Sequence, residues 1–163
     1  MNIVIDRVIV RKQARESLVL RVTPEGLVVL APSELDPDGE TVRDFIEKGI
    51  ARLPKPELVT EPMAADELDD LIATWSERLV VEISRVQVRK MQTKWASCSS
   101  QGTLTLNQEI LHLHHDLVEY ILCHELLHRK VPDHNQSWQL LMGIHLPDWR
   151  EREWRLAAWM LQR

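Results

Sequence analysis

L-V-E-Y-I-L-C-H-E-L-L-H-R-K-V-P-D-H-N-Q-S-W, residues 117–138, is the stretch around which the chain is organised. His124 and His128 are four residues apart. At about 100° of rotation per residue they leave a helix on one face, one turn apart, within reach of a single metal ion. Glu125 flanks that face without having to bind the metal. This is H-E-x-x-H, in which two imidazoles hold zinc and a glutamate serves as general base. Pro132 disfavours helical geometry at Val131, so the helix is predicted to run from about Asp116 to Val131. The turn that follows can bring His134 back as a third ligand, leaving one position open for water, as in a catalytic rather than a structural zinc site. The flanking residues (Leu117, Val118, Ile121, Leu122, Leu126, Leu127) are apolar nearly all round, so this helix is expected to be buried. Burying His, Glu and His without a partner would be costly, and a metal removes much of that cost.

At 163 residues, 44% hydrophobic and 28% charged, the chain fits one soluble domain with a sizeable core. The expected division is a hairpin plus helix over 1–53, an extended connector over 54–62 and a zinc-site core over 63–163. No apolar run is long enough to span a bilayer, and the N-terminus does not read as a secretory signal. Cys98 and Cys123, with no C-x-x-C spacing, favour a reduced, cytoplasmic protein. Net charge is −5, with an acidic stretch over 34–77 and a basic one over 78–94 (Arg78, Arg85, Arg89, Lys90, Lys94). A solvated strand face is the commoner reason for such a stripe, and the acidic total argues against a large nucleic-acid surface.

Residues 3–10 suggest a strand. Residues 17–22 and 27–31 are stronger strands, and T-P-E-G between them supplies a tight turn, giving a β-hairpin. Pro32 ends it. Asp36 or Ser33 is expected to cap a helix through about Leu53. After the proline-rich connector, a helix from about Ala64 to Leu79 carries an inner stripe of Leu68, Leu71, Ile72, Trp75 and Leu79. A strand is predicted within V-V-E-I-S-R-V-Q-V-R-K, and another over Thr103–Asn107 after a turn at Gly102. Helices of about Gln136–Gly143 and Asp148–Leu161 close the chain.

Three blocks together, W-A-S-C-S-S-Q-G-T-L-T-L-N, H-E-L-L-H-R-K-V-P-D-H-N-Q-S-W and L-P-D-W-R-E-R, resemble the YgjP-like zinc metallopeptidases, relatives of the SprT-like and Wss-type proteases of the zincin group. The opening R-K-Q-A-R-E-S-L-V-L-R-V-T-P-E-G-L-V-V-L-A-P also resembles that family, although its usual glycine after the tryptophan is Ala96 here. The resemblance implies an α+β fold with a small mixed sheet on the motif helix and an edge strand along a substrate cleft. It implies Zn2+ on His124, His128 and His134, Glu125 as base, and a polypeptide substrate. Two other functions stand beside it: a DNA-associated, SprT-like protease, and a non-catalytic module stabilised by zinc. Glu125 beside the ligands favours catalysis over the second.

Around the motif the residues leave several roles open. Tyr120, one turn before His124, is either an oxyanion donor or a packed aromatic with a satisfied hydroxyl, the commoner case. His112, His114 and His115 read as a polar lead-in to the helix, and His145 could also stand near the site. Ser97, Ser99 and Ser100 lack a G-x-S-x-G elbow and read as a polar turn. Cys98 reads as a buried structural thiol rather than a fourth ligand.

Overall fold

The computed structural model describes residues 2–5, 8–23, 26–57, 59–92 and 94–161, with side chains from residue 8 onward. The chain forms two compact units, Met1–Pro56 with Glu153–Arg163, and Glu57–Arg152. One division falls between Pro56 and Glu57 and the other between Arg152 and Glu153, inside the last helix.

In the first unit, β1 (Asn2–Ile5), β2 (Val8–Gln13), β3 (Val19–Thr23) and β4 (Gly26–Pro32) form one mixed sheet in the order β1-β2-β4-β3. The single strand predicted over 3–10 is instead an antiparallel pair, with Ile5 opposite Val8. The predicted hairpin is β3–β4, with Thr23 opposite Gly26; its turn residues Pro24 and Glu25 lie outside the described residues. β4 is buried along its whole length. It pairs on both sides, parallel to β2 and antiparallel to β3, so an unbroken apolar run replaces the alternation of a half-exposed strand. Helix α1 (Glu40–Ile50) packs Val42 and Ile46 into the core with Val8, Val10, Val29 and Ala157. Its expected cap is corrected: Gly39 occupies the N-cap with no side-chain bond. Asp36 accepts the Asp38 and Gly39 N–H groups, which uses it up in the turn before the helix.

The second unit holds α2 (Ala65–Leu79), α3 (His115–Leu127), α4 (Gln136–His145) and the first turn of α5 (Trp149–Leu161). Its sheet is β5 (Arg85–Arg89), β6 (Ala96–Cys98) and β7 (Thr103–Asn107) in the order β5-β7-β6. All five predicted inner-stripe residues of α2 are buried, and α2 packs on α3. The mixed sheet, with β7 parallel to β5 and antiparallel to β6, bears out the α+β expectation.

Two details differ from the sequence expectation. The helix predicted to reach Val131 ends at Leu127, with His128 as its C-cap at φ −63°. The following N–H groups of Arg129, Lys130 and Val131 still bond back to Leu126 and Leu127, so the turn tightens before Pro132 is reached. The polar run W-A-S-C contains a strand, and Ser97 pairs with Thr105 rather than forming a turn. A three-residue strand, Ala-Ser-Cys, is too short to show a periodicity that would announce it. Thr103–Asn107 is accordingly the central strand, and β6 is the edge that packs against α3.

Val80 ends α2 at φ 53° and is 79% exposed. A β-branched residue is strained there and gains nothing from packing. Val80→Gly is expected to raise unfolding stability by about 1 kcal/mol, measured as a higher denaturant midpoint at unchanged slope. Among the described residues no helix is long and apolar enough to cross a membrane.

Candidate metal centre

Helix α3 is buried on most of its surface, with His124 among its buried residues and His128 as its C-cap. Their Nε2 atoms are 3.3 Å apart. His134 lies between the end of α3 and the Asn135 cap of α4. Its Nε2 stands 2.9 Å from that of His128 and 3.1 Å from that of His124. Among the described residues this is the one group of three or more His, Cys, Asp or Glu able to hold a metal.

The triad fits a divalent cation. The outer nitrogen of His128 faces the Val131 carbonyl at 3.2 Å; a carbonyl accepts only, so Nδ1 carries the proton and Nε2 presents its lone pair. Burial, then the neighbouring His128 and His134, hold the His124 imidazole well below its ordinary pKa, so it is neutral, the state in which it can ligate. Three converging lone pairs repel one another unless a cation joins them. Tetrahedral ligation at about 2.05 Å separates ligand nitrogens by about 3.3 Å, close to the distances observed.

Glu125 places Oε1 4.0 Å from His124 Nε2. Burial pushes its carboxyl up to about 7, with the Lys94 charge opposing; a cation on the histidines would pull it down again. The ionised carboxylate that a bound cation would favour is the form able to accept a proton.

Tyr120 is 2% exposed, and its hydroxyl lies 3.4 Å from His124 Nδ1. It stands behind the ligand rather than on the side where the three Nε2 atoms meet. Tyr120→Phe is expected to weaken metal binding by about tenfold and to recover wild-type kcat at saturating metal. A deficit that persists at full occupancy would instead make Tyr120 an oxyanion donor.

The other candidates stand apart from the triad. His112 ends a 3-10 turn and His115 begins α3. His114 is the α3 N-cap, 3.5 Å from a Glu57 oxygen and 3.4 Å from an Asp116 oxygen. His145 ends α4 and meets Trp75 edge-on at 6.4 Å. Both cysteines are free. Cys98 is half-buried on β6 rather than buried, and burial raises its thiol pKa. Cys123 is buried beside Met142, with its thiol pushed up to about 12 by burial.

Sequence reasoning missed three supporting residues. Arg129 donates to the Ser99 carbonyl at 3.0 Å and to the Ser100 carbonyl, tying the β6–β7 turn to the residue after His128. Asn107, fully buried, donates to the Met91 and Lys94 carbonyls at 2.9 Å each, which shapes the loop entering β6. Trp138 packs against all three histidines. Only Asn107 left a sequence signal, as a polar residue ending an apolar strand.

Comparison with known proteins agrees with this geometry. The family described as YgjP-like, metallopeptidase domain, matches residues 55–158. The metallopeptidase zymogen abylysin of Pyrococcus abyssi is 29% identical with a TM-score of 0.50, over 59% of this chain and 96% of its own. The metallopeptidase zymogen jannalysin of Methanocaldococcus jannaschii shares the fold at 23% identity and a TM-score of 0.51, over 59% of this chain and 97% of its own. No curated protein sequence matches the chain. The matched span contains the whole histidine triad, Glu125 and the β5-β7-β6 sheet, and on that match the chain belongs to the YgjP-like metallopeptidase family.

Proposed function

We propose that this metallopeptidase is zinc-dependent, with His124, His128 and His134 as ligands and Glu125 as the general base. The observation that carries the reading is the convergence of three Nε2 atoms within 2.9–3.3 Å beside the half-buried Glu125 carboxyl. Three neutral imidazoles suit zinc better than magnesium or calcium, which prefer oxygen. Such a metal, when bound, supplies Lewis acidity and lowers the pKa of water toward about 7. Glu125 then takes a proton at its carboxylate and delivers it to the departing amine nitrogen. His134 is exposed while His124 is buried, so the triad has a closed side and an approachable one.

The substrate is an extended polypeptide. β6 pairs with β7 on one side and is the sheet edge next to α3, so its outer edge can accept a strand by backbone bonding with little sequence selectivity. Unfolded chains are therefore cleaved in preference to folded ones, and without DNA. The two free cysteines suit a reduced, cytoplasmic setting. Metal analysis joined to peptide-library cleavage, run on apo and zinc-loaded protein, tests this directly. Zinc near one per chain with zinc-dependent cleavage is expected; a loaded protein that cleaves nothing would leave a zinc-stabilised binding module.

One observation favours a second reading. Arg85 and Arg89 are exposed on β5, where phosphate contacts could tether the enzyme to DNA. DNA-stimulated cleavage that collapses at moderate salt, and is lost on charge reversal of Arg85, Arg89 and Lys90, would establish it.

A further inference from the structure

Trp138 stands where the three histidines meet, and the proposed chemistry gives it no task. Its ring centroid lies 4.9 Å from that of His124, 5.9 Å from His128 and 4.7 Å from His134. One side chain thus touches every ring of the triad. It is 1% exposed and is held from two directions. The Asn135 side chain accepts the Trp138 backbone N–H at 3.1 Å, fixing the start of α4 directly after His134. Trp149 meets the indole edge-on at 5.6 Å.

The indole N–H finds no acceptor among the described residues. An unpaired buried donor is a cost that phenylalanine would not carry. What tryptophan supplies here must therefore come from its size and its electron-rich face. An indole attracts positive charge within about 6 Å more strongly than any other side-chain ring. Three imidazoles sharing a divalent cation would carry such charge at that range.

We propose that Trp138 is a positioning residue of the metal centre, whose indole keeps the three imidazoles converged and stabilises the cluster in its cationic, loaded form. The proposal rests on the triad binding metal. His124 and His128 come from α3 and His134 from the following loop; Trp138, on α4, makes ring contacts with both sources. Without it, the His134 ring would lose the surface that sets its angle to the other two.

The experiment compares Zn2+ affinity, by competition with a chromophoric chelator, and the visible spectrum of the Co2+ form. Trp138→Leu is set beside Trp75→Leu, which removes a fully buried indole that meets His145 and makes no ring contact with the triad among the described residues. Trp138→Leu is expected to bind Zn2+ about 10–100-fold more weakly and to alter the Co2+ bands. Trp75→Leu is expected to stay within about threefold of wild type, since it leaves Trp138 and every ring contact of the triad in place. Trp138→Phe, which keeps a smaller aromatic surface, should fall between them at about three- to tenfold, and it decides the matter if the leucine variant does not fold. Equal affinities and unchanged Co2+ spectra for the Trp138 and Trp75 variants would overturn the proposal. A wild-type chain that binds no metal would instead overturn the metal-site reading on which it rests.

Discussion

Glu125→Gln is expected to keep its metal and lose its peptidase activity, with kcat falling on the order of 10²–10⁴-fold. The amide has the shape of the carboxyl but cannot accept a proton. The apo fold should tolerate the change, because burial already disfavours the charged carboxylate and pushes it up to about 7. Zinc content near that of wild type would separate this outcome from simple loss of the site. Full turnover by Glu125→Gln on a substrate of the wild-type enzyme would remove Glu125 from the mechanism.

Removal of the third imidazole should act on the metal instead. His134→Ala takes away a ring whose Nε2 lies 2.9 Å and 3.1 Å from those of His128 and His124. Two ligands one turn apart on α3 then remain. Zinc affinity should fall by more than the roughly 10–100-fold that loss of an outer partner costs, and activity should fall with occupancy. His145→Ala and His114→Ala lie outside the triad and should bind zinc as wild type does. Equal affinity for wild type and His134→Ala, measured by chelator competition, would refute a three-histidine site.

The two experiments probe parts of the site that were legible in the sequence to different degrees. His124, Glu125 and His128 share one helix, and helical periodicity fixes their relation from spacing alone. The same holds for the buried stripe of α2, where all five predicted positions face inward. His134 was legible as a candidate because Pro132 promised a turn, yet its arrival beside the other two depends on where α4 begins. The Asn135 cap and the packing of Trp138 against the triad set that start.

The sequence by itself determined the order of most elements and put His124 and His128 on one face of α3 with Glu125 flanking it, because these follow from residue periodicity within single segments; the α+β class came with the family resemblance. Tertiary structure alone decided that Ala96–Cys98 is a strand and the edge beside α3. It also decided that Thr103–Asn107 is central and that Val86 and Val88 lie 40% and 45% exposed on β5. Each of these depends on which distant segment supplies the partner. Strand neighbours, edge positions and ring contacts are set by packing between segments far apart in the chain, and local pattern carries no record of that choice.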